Sequence, residues 1–124
     1  MELWHSEILA RLEWRMAHRD LDVLDAAERA ADGVNTLIAR CRRMLHVAQM
    51  RKSVQSISAN IGEAFGRRAG PDRAHRLEIA RGEAEETIRH LGANFRMKRI
   101  APRDYWPIRN LLVVIVKMLN SLLS

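Results

Sequence analysis

Apolar residues recur every three or four positions along most of this 124-residue chain. No segment alternates with the period of two that a half-buried strand shows. A spacing of three and four places apolar side chains on one side of a helix, where another helix must cover them. Four segments carry such a stripe. The first contains Ala27, Ala31, Val34, Ile38, Cys41 and Leu45, and the second contains Met50, Val54, Ile57, Ile61 and Phe65. The third contains Leu77, Ala80, Ala84, Ile88 and Leu91, and the fourth contains Ile108, Leu111 or Leu112, Ile115, Met118 or Leu119, and Leu122. The sequence therefore predicts an all-α protein.

Short breaks separate the four predicted helices. Gly66 supplies a glycine for a left-handed cap, and Pro71 and Pro102 suit the openings of the third and fourth helices. The break before the second helix, within residues 42–46, contains neither proline nor glycine. Because the breaks are short, consecutive helices are expected to run antiparallel. The prediction is an antiparallel up-down-up-down four-helix bundle over residues 20–124.

Other features of the predicted helices are less regular. Gly33 stands beside the first stripe and predicts either a close approach of another helix or a local bend. Gly92 and Asn94 are expected to loosen the end of the third helix. Residues 1–19 are expected to form an N-terminal helical arm, because a narrow apolar stripe there consists of Trp4, Ile8, Leu12 and Met16.

The cysteine count and the apolar runs indicate in which cellular compartment the protein is found. The lone Cys41 has no partner for an intramolecular disulfide, whereas a secreted domain of this size usually carries several. The first residues show no basic segment followed by an apolar one, so no signal peptide is expected. The most apolar run, residues 111–116, ends at Lys117 and is much shorter than the roughly 20 residues that cross a bilayer. We expect a cytoplasmic protein with no membrane partner.

Charge is divided unevenly along the chain. Residues 1–35 contain four arginines and eight acidic residues, a net charge of −4, whereas residues 36–124 contain seventeen Lys or Arg and seven acidic residues, a net charge of +10. A basic region can attract a polyanion such as RNA or DNA. It can also hold the acidic part of another subunit, or simply be solvated, and the sequence leaves these three interpretations open.

The basic residues of the middle segment are mostly arginines, whose forked side chains match the geometry of phosphate. Few aromatic residues lie among them, so stacking on single-stranded bases is not expected. Any binding should be directed at phosphates and should weaken strongly as salt rises. The candidate nucleic-acid-binding residues are Arg40, Arg42, Arg43, Arg51, Lys52, Arg67, Arg68, Arg73 and Arg76.

No pattern in the sequence indicates a catalytic or metal-binding site. The candidate nucleophiles Ser53, Ser56 and Ser58 lie within a helix, without recognisable histidine and acid partners. Cys41 belongs to an apolar stripe and is expected to be an inert core thiol. We expect no enzyme activity, no metal and no cofactor.

The histidines do not form a ligand set. Glu86 and His90 stand one turn apart and are expected to form a surface pair, because no second helix supplies matching histidines. The remaining histidines of the predicted bundle, His46 and His75, are scattered along it.

One face of the third predicted helix suggests a second contact surface. Ile79, Gly82 and Glu86 share a face nearly opposite the apolar stripe. An outward isoleucine beside a glycine suggests contacts between subunits. The alternative is a solvated face that carries a single apolar residue.

Residues 49–68, QMRKSVQSISANIGEAFGRR, resemble the most distinctive segment of the family named for proteins encoded in 23S ribosomal RNA intervening sequences. In that family the segment reads close to Q-x-R-R-A-x-x-S-I-P-A-N-I-A-E-G-x-x-R. Residues 77–82 are similar to the family's L-E-I-A-x-G, and residues 117–122 to its closing K-M-L-x-x-L. The resemblance covers about residues 21 to 123. The departures from the family pattern are Ser58, Gly62, Ala64, Arg81 and Glu83.

The resemblance implies a four-helix bundle that assembles as a homopentameric ring. It also implies kinship with the accessory variability determinant proteins of diversity-generating retroelements, which are basic pentamers that bind nucleic acid and a reverse transcriptase. The leading hypothesis is therefore a homopentamer that binds RNA or DNA without reading sequence, with a reverse transcriptase or another ribonucleoprotein component as a further partner. The alternative is a structural or protein-interaction module, in which helix and subunit contacts are made by Asn60, Glu63, Ile79, Gly82 and Glu86.

Overall fold

The computed structural model describes residues 19–124, with side chains from Asp22 onward, and among these residues it contains four helices and no strand. The helices are α1 (Arg19–Arg40), α2 (Val47–Phe65), α3 (Pro71–Arg96) and α4 (Pro102–Leu123). The predicted all-α four-helix bundle is confirmed. The apolar stripe predicted for the N-terminal arm lies outside the described residues.

Each helix packs against two neighbours. α1 contacts α2, α2 contacts α3, α3 contacts α4, and α4 contacts α1, which closes the bundle. The connections span residues 41–46, 66–70 and 97–101, too short for the chain to run back along a helix, so consecutive helices are antiparallel. The first and third connections therefore lie together at one end of the bundle, which we call the loop end. The second connection lies at the opposite end, the turn end.

The predicted apolar stripes supply most of the core, and α1 adds Val23, Ala30 and Leu37 from outside its predicted stripe. On α4, Leu112 and Leu119 are fully buried, whereas the alternatives Leu111 and Met118 are only partly buried against the core. The other large side chains that are fully buried and apolar are Val23, Val34, Met50, Val54, Ile57, Ile61, Leu91 and Ile115. Because each comes from the inner side of its helix, the four helices share one hydrophobic core.

The first helix ends earlier than its stripe predicts. α1 stops at Arg40, so Cys41 and Leu45 belong to the following loop and not to a continuing helix. Cys41 is half-buried and packs against the core, as an apolar residue would. The prediction that the stripe continues was wrong, because the backbone of Leu45 bonds to Asn94 of α3 in place of its own helix.

The prediction that Gly92 and Asn94 loosen the end of α3 was also wrong. α3 continues through both residues to Arg96, and both are buried. Asn94 is fully buried and its side chain bonds to the loop between α1 and α2. Asparagine often ends helices, but Asn94 lies within α3 and its side chain makes a tertiary contact.

The glycines at the α2–α3 turn have different backbone conformations. Gly66 has a φ of −78°, so the left-handed cap predicted there was wrong. Gly70 has a φ of 148°, and it precedes the first turn of α3, where Pro71 needs no hydrogen bond for its nitrogen. At Gly33, a Cβ would collide with Cδ1 of Ile108, so the predicted close approach of another helix is confirmed.

Candidate nucleic-acid interface

The nine predicted cations divide between the two ends of the bundle. α2 separates the two groups, and its 19 residues span about 28 Å at 1.5 Å per residue. Arg51 and Lys52 stand in the first two turns of α2, nearer the loop end. The loop end carries Arg40, Arg42 and Arg43, and the turn end carries Arg67, Arg68, Arg73 and Arg76. The structure therefore does not gather the nine residues into one surface.

Two cations that the sequence analysis did not select complete the loop end. Lys98 and Arg99 follow α3, and their loop faces the loop that carries Arg42 and Arg43. The side chains meet only because of the topology, since Arg99 lies 56 residues after Arg43. Between the loops lies a pocket of about 490 Å³, lined by Cys41, Arg42, Arg43, Met97, Lys98 and Arg99. None of these lining residues is acidic.

Hydrogen bonds hold the two loops together. The backbone N–H of Leu45 donates to Oδ1 of Asn94 at 2.6 Å, and Nδ2 of Asn94 donates to the carbonyl of Leu45 at 3.1 Å. Nη1 of Arg99 donates to the carbonyl of Arg43 at 3.2 Å. Because the amide of Asn94 is fully buried, this connection is shielded from competing water. The two sides of the pocket are thus fixed relative to each other.

Most cations at the turn end already have partners in the same chain. Nη2 of Arg67 lies 3.4 Å from Oε2 of Glu63, and the guanidinium of Arg73 lies 5.3 Å from the centre of the Phe65 ring. A pocket of about 310 Å³ at this turn includes an acidic residue and is lined by Arg67, Arg68, Ala69, Gly70, Pro71 and Asp72. The turn end is therefore a weaker anion site than the loop end.

The remaining predicted cations differ in their surroundings. Nη1 of Arg40 lies 3.8 Å from Oδ1 of Asp104, which ties the end of α1 to the start of α4 and partly neutralises that charge. Arg51 and Lys52 are exposed on α2. Lys52 is close enough to Glu83 of α3 for the two charges to attract each other.

Asn60 joins two helices of one chain. Its Nδ2 donates to the carbonyl of Ser56 at 2.9 Å, and its Oδ1 accepts from Nη1 of Arg76 on α3 at 3.4 Å. Glu63 is exposed and bonds only to Arg67 of the following turn. Within the described chain, Glu63 therefore has no role in holding helices together.

An open groove of about 870 Å³ runs between α1 and α2, lined by Leu24, Glu28, Gln55, Ser58, Ala59, Gly62, Glu63, Gly66 and Arg67. Its α2 side is mostly small residues from the segment that carries the family resemblance. Gly62 is exposed, and a Cβ there would meet no atom within 4 Å. Packing within the described chain therefore does not explain a glycine at this position.

The predicted second face of α3 is partly open. Ile79 is half-buried but does not pack against the core. Gly82 is exposed, and a Cβ there would also meet no atom within 4 Å. Oε1 of Glu86 lies 3.4 Å from Nε2 of His90 on the same helix, the pair that the sequence predicts. This face leaves room for a contact with another molecule.

His46 is not isolated, although its position in the sequence suggested so. Its ring centre lies 5.2 Å from that of His90, and the second ring also contacts Glu86. In the part of the chain that the structure describes, no three His, Cys, Asp or Glu residues are arranged to hold a metal ion.

Glu83 lies beside this cluster on α3. Partial burial raises the pKa of its carboxyl group above the ordinary value of 4.5, repulsion from Glu86 raises it further, and attraction to Lys52 opposes both. The side chain is therefore held in a site that disfavours its charged form.

α4 is the one helix of residues 19–124 that is long and apolar enough to cross a membrane, by length and composition alone. A core helix of a soluble bundle meets the same test. α4 buries Leu112, Ile115 and Leu119 in the core, yet only 17% of its most apolar stretch is buried. Its outer side exposes 46% of Trp106, near the loop end, and 48% of Val114.

Known proteins share this architecture. The chain is similar to a protein of unknown function from the S23 ribosomal protein family of Bacteroides thetaiotaomicron VPI-5482, whose crystal structure was determined at 1.70 Å resolution. The two have 30% sequence identity and a TM-score of 0.77, over 84% of this chain and 96% of that chain. No curated protein matches the chain. The model of the 23S rRNA-intervening sequence protein family matches residues 19–121, which include α1 to α3 and nearly all of α4. As its motifs predicted, the chain belongs to the 23S rRNA-intervening sequence protein family.

Proposed function

We propose that this protein is a cytoplasmic, non-catalytic homopentamer that binds the phosphate backbone of RNA or DNA without reading sequence. The observation that carries the proposal is the loop end. There Arg42, Arg43, Lys98 and Arg99 converge on one pocket with no acidic residue in its lining. Among the described residues, the side chains of Arg42, Arg43 and Lys98 make no hydrogen bond or ion pair. Their charges are available to an anion.

These side chains suit phosphate more than bases. An arginine side chain can bind two phosphate oxygens at once. Proteins that bind single strands without reading sequence contact the bases by stacking them on aromatic side chains. The pocket lining contains no aromatic residue. In a cyclic oligomer all copies of the loop end stand at the same level along the symmetry axis, so they would face one strand together.

Nucleic-acid binding is tested with a fluorescently labelled single-stranded RNA at low salt. Arg42→Gln combined with Arg43→Gln should weaken binding roughly tenfold or more, because charge-assisted hydrogen bonds are removed. Arg29→Gln is the matched control, since Arg29 is an exposed arginine paired with Asp25 on the acidic helix α1. The proposal fails if the wild-type protein does not bind RNA, or if the double variant and the control bind alike.

Self-association is supported by the groove between α1 and α2 and by the open face of α3. The groove carries Gly62 and the α3 face carries Gly82, and a Cβ at either position would meet no atom of its own chain within 4 Å, so another helix could approach closely there. The mass in solution should be five times the 14.3 kDa of one chain. Gly62→Arg should lower that mass, whereas Ala48→Arg, at an exposed position of α2 outside the groove, should leave it unchanged. A monomer in the wild-type protein would contradict the proposal.

The absence of catalysis is supported by the surroundings of the candidate nucleophiles. The hydroxyl of Ser53 is buried and lies 2.7 Å from that of Thr87. Oγ of Ser56 accepts from Nδ2 of Asn60 at 2.9 Å, and Ser58 donates to the carbonyl of Gln55 at 3.3 Å. None of these bonds joins a serine to a histidine or an acid, the arrangement that activates such a nucleophile.

A structural or protein-interaction module without a nucleic-acid role is the second candidate. One observation favours it: the residues that carry the family resemblance line the groove, whereas the four loop-end cations lie outside those segments. Purified oligomer with a low ratio of absorbance at 260 nm to that at 280 nm would favour this candidate. Purification from native cells would also test the proposed ribonucleoprotein partner, including a reverse transcriptase.

A further inference from the structure

The loop-end pocket concentrates positive charge in a way that a general basic surface does not. Four cationic side chains from two loops surround a single space of about 490 Å³. Arg99 uses one N–H of its guanidinium on the carbonyl of Arg43 and keeps further donors for a ligand. Like charges that line one pocket repel one another unless an anion lies between them.

The fold holds these charges together despite their repulsion. The buried side chain of Asn94 binds both backbone polar groups of Leu45, so the loop before α2 cannot move away from the end of α3. After α3 the chain turns through Lys98, which has a φ of 59°. The N–H of Lys98 donates to the carbonyl of Phe95 at 3.0 Å and that of Arg99 to the carbonyl of Asn94 at 2.8 Å, the bonds of a Schellman cap.

Those bonds also decide which groups can bind a ligand. The backbone N–H groups of Met97, Lys98 and Arg99 are occupied by helix carbonyls, so on this side of the pocket recognition of an anion falls to the side chains. Arginine and lysine side chains bind phosphate oxygens, and the lining has no aromatic ring on which a base could stack. The pocket therefore suits a phosphate group whose attached base is not read.

The number of charges indicates the kind of phosphate. An internal phosphodiester carries a single negative charge, and its neighbours are spread along the strand. A terminal phosphate monoester carries about two negative charges at neutral pH in one compact group. Four converging cations match the second arrangement better, because all of them can approach the same group.

We infer that the loop-end pocket binds a compact phosphate group with two or more negative charges, supplied by the phosphorylated end of an RNA or DNA strand. The inference rests on the proposed function, because nucleic-acid binding brings the strand to the pocket. The pocket itself would also accept a free diphosphate. It predicts that this protein prefers strand ends to strand interiors, independently of the terminal base.

The test compares two single-stranded RNAs of the same sequence, one with a 5′-hydroxyl and one with a 5′-phosphate, each labelled at the 3′ end. Fluorescence anisotropy with the full chain should show roughly tenfold tighter binding of the phosphorylated strand, the effect of about one more charge-assisted hydrogen bond. Inorganic pyrophosphate should compete for the site more effectively than orthophosphate. A change of the terminal base should not alter the preference.

Two double variants separate the pocket from other basic surfaces. Arg42→Gln combined with Lys98→Gln should abolish the preference for the 5′-phosphate, since it removes one cation from each loop. Arg29→Gln combined with Arg68→Gln is the matched control away from the loop end and from the groove, and it should keep the preference. All four positions are exposed, and circular dichroism would verify that both proteins fold.

The outcomes distinguish this inference from the proposed function. If both RNAs bind equally, or if the preference survives Arg42→Gln with Lys98→Gln, the inference is wrong while RNA binding stands. If neither RNA binds but calorimetry shows pyrophosphate binding that Lys98→Gln removes, the pocket chemistry is right, its ligand is a free diphosphate, and the proposed function is wrong. If nothing binds, both are wrong.

Discussion

At the scale of single residues, Asn94 shows how one polar side chain organises the loop end. Its amide satisfies the N–H and the carbonyl of Leu45 and also donates to the carbonyl of His90 at 2.9 Å. A buried amide that makes all of these bonds costs little to bury. Without it, the backbone groups of Leu45 and the carbonyl of His90 would lose this partner. Asn94 therefore holds the loop after α1 against the end of α3, where the basic loops meet.

Asn94→Leu should lower the free energy of unfolding by roughly 2 to 4 kcal/mol, because the N–H and the carbonyl of Leu45 and the carbonyl of His90 lose the side-chain amide that they bond to. Urea denaturation monitored by circular dichroism measures this change. Asn35→Leu, at an exposed position of α1, is the control and should change stability little. A decrease below about 0.5 kcal/mol at Asn94 would mean that water replaces the amide.

Glu83 gives a pH-dependent prediction. Because its pKa is raised in the folded protein, the folded state binds this proton more tightly than the unfolded state does. Its carboxyl group therefore favours folding below the ordinary pKa of 4.5 and loses that contribution as the pH rises through the folded-state pKa. Glu83→Gln should be more stable than the wild type at pH 7, with the difference vanishing near pH 4.

Chemical denaturation at the two pH values checks the Glu83 prediction. Glu85→Gln, an exposed neighbour on the same helix, is the matched control. A Glu83→Gln variant that is less stable at neutral pH would show that attraction to Lys52 outweighs burial and repulsion.

The sequence could predict only part of the loop-end site at this scale. Arg42 and Arg43 were selected because they belong to a run of arginines, whereas Lys98 and Arg99 stand apart from it. No local pattern links the two pairs. Their meeting depends on the lengths of α2 and α3 and on the bonds of Asn94, which are properties of the folded chain.

At the scale of helices, hydrophobic spacing predicted the fold because each helix buries one side in a shared core. The spacing resolved the number and order of the helices but not every boundary. α1 ends at Arg40 although apolar spacing continues to Leu45, because spacing reports which side is buried and not where a tertiary bond interrupts the helix. Similarly, Gly66 and Pro71 located the α2–α3 turn, but the left-handed cap predicted at Gly66 is absent.

Truncation of core residues tests the helical register. Ile57→Ala and Ile115→Ala should each lower the free energy of unfolding by roughly 2 to 5 kcal/mol, because both side chains are fully buried. Val114→Ala, adjacent to Ile115 but 48% exposed, should have a much smaller effect. Equal decreases in the free energy of unfolding at Val114 and Ile115 would mean that α4 is rotated about its own axis relative to the core.

The close approach of α1 and α4 can be tested with two substitutions. Gly33→Ala gains helix propensity of up to about 1 kcal/mol but brings its new Cβ into Cδ1 of Ile108. Ile108→Val removes that atom. Gly33→Ala should therefore be more favourable in the Ile108→Val background than in the wild type, as measured by a double-mutant cycle. An additive cycle would show that the two side chains do not meet.

At the scale of the whole molecule, the apolar residues and the excess positive charge lie in different parts of the bundle. The inner sides of the four helices form one core, and the connections place cations at opposite ends of the bundle. The formal net charge of +6 is thus concentrated where the chain turns, while the groove between α1 and α2 carries Ser58, Ala59 and Gly62 on its α2 side. This arrangement suits an oligomer that contacts itself through its sides and a polyanion through one end.

The salt dependence of RNA binding tests the central claim most directly. The logarithm of the affinity for a single-stranded RNA should fall linearly with the logarithm of salt concentration. Arg42→Gln combined with Arg43→Gln should make that line shallower by roughly 0.7 for each phosphate group that the variant no longer binds. Affinity that is absent at low salt, or that does not change as salt rises, would contradict a phosphate-binding loop end.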